Sequence, residues 1–72
     1  MKFEFYDSTG KLQNVTADIS VSEMRAYLGE FKTHCVVDKT SYQFNHFINW
    51  LRKYYGISIS RIGYEVTERI DM

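Results

Sequence analysis

Phe44-Asn45-His46-Phe47-Ile48-Asn49-Trp50-Leu51-Arg52-Lys53-Tyr54-Tyr55-Gly56 is the stretch on which the fold of this 72-residue chain turns. Its apolar residues Phe44, Phe47, Ile48, Leu51 and Tyr55 stand at i, i+3, i+4, i+7 and i+11, a spacing that places them along one side of an α-helix. Gly56 follows the last of them, where a helix commonly closes on a left-handed residue. Thr40-Ser41-Tyr42-Gln43 comes before, a hydroxyl with glutamine three residues later, which predicts a capping box at the helix start. A helix of about 15 residues is expected, roughly 22 Å long.

Working outward toward the N-terminus, Ser20-Val21-Ser22-Glu23 is a second capping-box pattern. Met24, Leu28 and Phe31 follow it at i, i+4 and i+7, the stripe of a first, short helix whose last turn Gly29 weakens. His34 to Val37 is apolar and β-branched and is expected to form a short strand. Earlier still, Phe3 and Phe5 alternate with Lys2, Glu4 and Tyr6, and Val15, Ala17 and Ile19 share a face. Asp7-Ser8-Thr9-Gly10 lies between these runs and supplies turn chemistry, so the two runs predict a β-hairpin.

Beyond Gly56, Ile57 and Ile59 alternate in odd register, whereas Ile62, Tyr64, Val66 and Ile70 alternate in even register. The change of phase predicts a turn, bend or bulge at Ser60-Arg61. Gly63, Glu65, Thr67 and Arg69 fall on the other face of the last strand and read as solvated. The expected architecture is α+β: a small antiparallel sheet, elements in the order β-β-α-β-α-β, with both helices packed on one sheet face. Residues 1–72 read as a single domain. A chain this short buries only about 60% of its unfolded surface, leaving roughly 4,700 Å² exposed. One small core has no room for a deep substrate cavity, so binding is expected at a surface.

Composition excludes several functional classes. No run approaches 18 apolar residues, so no membrane span is expected. Met1-Lys2-Phe3-Glu4-Phe5 lacks the apolar stretch of a secretion signal, and the lone Cys35 cannot form an internal disulfide. An intracellular, cytoplasmic protein is expected. No phosphate-binding glycine loop is present, and no pair of carboxylates is placed for acid–base work. On a strand, His34 and Cys35 would point to opposite faces, which removes a thiol–imidazole pair. His34, Cys35, Asp38 and His46 do not share the spacing of metal ligands. No catalytic residue, metal or cofactor is expected.

Assigning the core leaves a residue of interest. The stripes use Phe3, Phe5, Val15, Ala17, Ile19, Met24, Leu28, Phe31, Val37, Phe44, Phe47, Ile48, Leu51, Tyr55, Ile57, Ile59, Ile62, Tyr64 and Val66. Tyr6, Tyr27, Tyr42, Trp50 and Tyr54 are left over. On a helical wheel Trp50 lies about 100° from the centre of the core stripe, with Gln43, His46 and Tyr54 on its side and Lys53 nearby. Trp50 either closes the edge of the core or stands at a recognition surface, where large aromatics amid polar groups concentrate binding energy.

Charge points the same way. The chain has nine basic and nine acidic side chains. Residues 39–64 nonetheless hold Lys39, Arg52, Lys53 and Arg61 without one acid, while both flanking segments are net acidic. Such cations could simply complement the helix dipole. If functional, the set Tyr42, His46, Trp50, Arg52, Lys53, Tyr54 and Arg61 is expected to bind a partner. The favoured partner is a larger intracellular protein with an acidic patch, and the chain a small non-enzymatic regulator or inhibitor. In size and lack of motifs it is of a type with accessory proteins of phages and mobile elements. The alternative is a nucleic-acid-binding module using the same surface, with cations on phosphates and aromatics stacked on bases. An edge strand pairing with its copy would make a homodimer.

Overall fold

The computed structural model describes residues 1–7, 10–63 and 68–72. Six elements follow one another: β1 (Lys2–Tyr6), β2 (Leu12–Ala17), α1 (Val21–Asp38), α2 (Phe44–Tyr55), β3 (Ile59–Arg61) and β4 (Glu68–Asp71). The hairpin forms as its alternation requires, with Phe3 opposite Val15 and Phe5 opposite Gln13. Asp7 organises the turn: its carboxylate accepts from the Lys11 N–H at 3.1 Å and its carbonyl from the Gly10 N–H at 3.0 Å. Gly10 sits at a φ of 82°, open to glycine without steric cost.

The four strands lie in the order β3-β2-β1-β4. The fold is α+β with both helices on one face of the sheet, but the sheet is mixed rather than antiparallel. β3 joins β2 antiparallel, whereas β4 joins β1 parallel, pairing Phe5 with Ile70. The edge strands are only three and four residues long, and β4 carries Glu68, Arg69 and Asp71. Short, charged edges are the usual protection against pairing with another copy.

The element order is β-β-α-α-β-β, because the strand expected at 34–37 does not exist. Those residues are the last turns of α1, which runs 18 residues from the Ser20 cap. The buried stripe continues at helical spacing through Met24, Leu28, Phe31 and Cys35. Gly29 lies in mid-helix rather than near an end, and the Thr33 hydroxyl donates back to its carbonyl at 3.2 Å. Val37, assigned to the core from the strand reading, is 71% exposed on the outer side of this helix. α1 ends on Lys39, which takes the left-handed conformation at φ 55° and ψ 41°. At its other end the predicted capping box is present in both directions between Ser20 and Glu23.

The second predicted capping box is not formed. α2 starts at Phe44 on Gln43, which makes no side-chain cap bond. Residues 40–43 are drawn instead toward α1. The Ser41 carbonyl accepts from the Cys35 thiol and the His46 ring, and the Tyr42 ring stacks 5.9 Å from Phe31. Gly56 closes α2 at a φ of 63°, as its place after Tyr55 predicts.

At the expected change of phase, Ser60 and Arg61 remain inside β3, paired with Thr16 and Val15. The alternation breaks because position 61 shares the helix-facing side with Ile59 but holds arginine. Its guanidinium donates to Gln13 Oε1 at 2.5 Å and to Asn45 Oδ1 at 3.1 Å, which serves the buried amide of β2. Tyr64 and Val66, also assigned to the core, lie outside the described residues.

The core is an aromatic layer between sheet and helices. Phe5 of β1 meets Phe44 at 5.2 Å and Phe47 at 5.9 Å, and Phe47 meets Phe31 of α1 at 5.3 Å. Phe3, Phe5, Phe47, Met24 and Leu51 are wholly buried. The chain exposes 4704 Å² in all, the area that surface scaling gives for its mass.

Two outcomes follow for stability. Lys39→Gly should raise the free energy of unfolding by about 0.5–1 kcal/mol, because glycine takes a positive φ without the clash a Cβ brings; urea titration measures it. Glu23 is held below the ordinary carboxylate pKa by the Ser20 backbone N–H, and secondarily by its hydroxyl. A carboxyl whose pKa is depressed on folding stabilises fully above its unfolded value and loses that contribution as pH falls through the lowered one. Glu23→Gln should therefore flatten the acid side of the stability profile while leaving its alkaline side unchanged, as read by thermal melts across pH.

Candidate functional site

The acid-free α2 presents different sides to different neighbours, and folding divides the seven predicted residues among three depressions. His46, Trp50, Lys53 and Tyr54 meet in one groove of about 280 Å³ between α2 and the C-terminal half of α1, with Phe31, His34, Thr40 and Asn49 completing its lining. Arg52 and Arg61 lie across α2, in a separate cleft against β2 and β3. Tyr42 lies in a third, between α1 and β4, alongside Arg25, Lys32 and Arg69.

Within the groove, helical spacing does the assembling. His46, Trp50, Lys53 and Tyr54 recur at three- and four-residue intervals, so α2 stacks them along one side. α1 supplies the facing wall through Phe31 and His34, available there only because the helix continues past Gly29. The three rings of His34, Trp50 and Tyr54 are mutual neighbours, with centroids 6.1, 6.3 and 6.2 Å apart.

Trp50 resolves to the core-edge alternative. It is only 8% exposed, held by Phe31 at 5.4 Å, by Tyr55 edge-on at 5.3 Å and by Phe47 at 6.3 Å. It lies off the core stripe of α2, but α1 lies alongside that flank and covers it. Tyr55, assigned to the core, is correspondingly displaced outward to 42% exposure. Its ring rests on Tyr27 at 4.7 Å and its hydroxyl donates to the Glu30 carboxylate. That bond favours the neutral phenol and is the main reason the Tyr55 pKa is raised, with burial adding to it. Tyr54 stays 59% exposed at the rim.

The cations differ in how free they are. The Arg52 guanidinium donates to the Ile59 carbonyl at 2.6 Å, and Arg61 is committed to Gln13 and Asn45. Both are structural ties between α2 and the sheet. Lys53 has no carboxylate partner among the described residues; its ammonium stands 5.4 Å from the centre of the Tyr54 ring. The two α1 carboxylates that flank its wall are both engaged, Glu30 by the Tyr55 hydroxyl and Asp38 by His34 Nδ1 at 3.0 Å. The groove is thus aromatic at its floor and carries an uncompensated cation at its rim.

Sequence reasoning missed His34 and Thr40 as groove residues. The strand reading of 34–37 hides His34, and the signal that reveals it is Cys35 continuing the Met24–Leu28–Phe31 series. Folding also brings Cys35 and His46 to the same Ser41 carbonyl, at 3.6 and 3.2 Å. A carbonyl only accepts, so thiol and ring N–H both donate to it, an arrangement in which the imidazole is not a base toward the thiol. Among the described residues no three His, Cys, Asp or Glu side chains gather as metal ligands. None of the described helices is long and apolar enough to cross a membrane.

Comparison of the chain with protein-family models, with curated proteins and with solved structures finds no match.

The burial pattern separates stability from surface chemistry. Trp50→Ala should cost about 3–5 kcal/mol through the cavity it leaves, a large share of the roughly 4–11 kcal/mol available to a chain this size. Tyr54→Ala and Lys53→Glu should each change stability by less than about 1 kcal/mol. Denaturant titrations of the three variants measure both, and equal effects would contradict the placement of Trp50.

Proposed function

We propose that this protein is a small non-enzymatic binding protein, a regulator or inhibitor that docks onto a larger protein through the aromatic–basic side of α2. The observation that supports it most is Lys53, a cation with no carboxylate partner among the described residues, standing over the exposed Tyr54 at the mouth of an aromatic groove. Desolvated aromatics beside a steering cation are the composition of interface centres. The partner presents an acidic patch. A cytoplasmic setting and a role of the accessory kind found in phages and mobile elements belong to the same reading.

Two observations weigh against nucleic acid as the ligand of this surface. Base stacking needs an open aromatic face, and Trp50 is covered by Phe31, Phe47 and Tyr55. Phosphate binding needs several free cations, whereas Arg52 and Arg61 are spent on internal carbonyl and amide oxygens.

The experiment is affinity capture from a native lysate with the wild-type chain, Lys53→Glu and Tyr54→Ala, each with and without nuclease. Both variants should lose the captured protein while keeping their melting transitions, and nuclease should leave capture unchanged. Capture that survives both substitutions rejects the surface. Capture abolished by nuclease, with an affinity falling about 0.7–0.9 log units per log unit of salt for each phosphate contacted, moves the reading to nucleic acid.

A further inference from the structure

The groove is small for a metabolite. Small-molecule sites span about 300–1,000 Å³ and converge several polar groups on their ligand. This one, at about 280 Å³, falls just below that range. Its floor and walls are the rings of Phe31, His34, Trp50 and Tyr54, packed centroid to centroid at 5.4–6.3 Å. Among the described residues that line it, Lys53 is the only lysine or arginine.

Resting on the docking surface proposed above, we infer that the groove accepts one bulky apolar side chain of the partner, leucine or phenylalanine, from a segment that places a carboxylate on Lys53. Shape and charge each select one half of that occupant. A depression floored by rings takes up a large apolar side chain, which gains the transfer free energy of leaving water and displaces water that the rings cannot hydrogen-bond. The ammonium stands over the Tyr54 ring and has no carboxylate partner among the described residues, so an incoming acid meets a pre-placed cation. A basic segment would meet Lys53 as a like charge. An acidic segment without the apolar residue would leave the groove solvated and retain only the screened rim interaction.

The single tryptophan of the chain forms the groove floor, so its fluorescence reports occupancy directly. Short synthetic peptides rich in Asp and Glu, carrying one central Leu or Phe, are titrated into the full chain. The same peptides with central Ala, and with the acids replaced by Lys, serve as comparisons. The Leu or Phe peptide should perturb Trp50 emission saturably, and both comparison peptides should bind at least about tenfold more weakly. Lys53→Glu should weaken the acidic peptide by a similar factor, and Tyr54→Ala should weaken both anchors. Equal binding of the Leu and Ala peptides would overturn the inference, as would binding that leaves Trp50 emission unmoved, or no binding by any peptide. If peptides fail while Lys53→Glu still abolishes capture from lysate, the docking surface stands and the single-anchor occupant falls. Failure of both removes the surface itself.

Discussion

Everything in this molecule depends on a continuous contact of aromatic rings that runs from the sheet through both helices. Phe5 touches Phe44 and Phe47, Phe47 touches Phe31, and Phe31 touches Trp50. A chain of 72 residues has little apolar area to bury, and aromatic side chains supply the most area for each residue fixed. The same contact aligns β1, α1 and α2 at once, because each contributes at least one ring. The remaining polar ties serve to hold this layer closed: Arg52 on the Ile59 carbonyl and Arg61 on Asn45 bind α2 to β3, and Arg61 on Gln13 joins β3 to β2.

The groove is a by-product of that packing. Trp50 gives most of its surface to the core and leaves only a margin as a floor. Because the floor is packed on three sides, it is rigid, and a rigid site loses little conformational entropy when it is occupied. Tyr54 and Lys53 complete it from the solvent side at small cost to stability. Core and recognition surface therefore share one residue, which is why Trp50 belongs to both descriptions.

Much of the architecture was legible in particular residues. The spacing of Phe44, Phe47, Ile48 and Leu51 marked α2 and Gly56 its end, while Ser20 and Glu23 marked the start of α1. Phe3, Phe5, Val15 and Ala17 marked the hairpin. The end of α1 was not legible, for two reasons of the same kind. Gly29, a residue common after helices, lies in the middle of this one, and Lys39, an ordinary helix former, adopts the left-handed closing conformation. A short apolar run such as His34–Val37 is periodic enough for either a strand or a helix. Its last members, Val36 and Val37, prove to be exposed, so their hydrophobicity carried no information about burial. Arg61 misled in the opposite sense: a charged residue at a helix-facing position interrupted the alternation although it still pairs with Val15 as the last residue of β3.

The sequence by itself determined which faces of the hairpin and of α2 are apolar, since those follow from local periodicities of two and 3.6 residues that require no knowledge of neighbours. It also determined that α2 carries cations unrelieved by acids. Only the tertiary structure decided which of those cations remain available, and which aromatic lies beneath them. Whether Arg52 reaches a carbonyl or solvent, and whether the flank bearing Trp50 is covered, depends on where a second helix and a distant strand come to lie. Those positions are set by long-range packing, to which no spacing within α2 is sensitive.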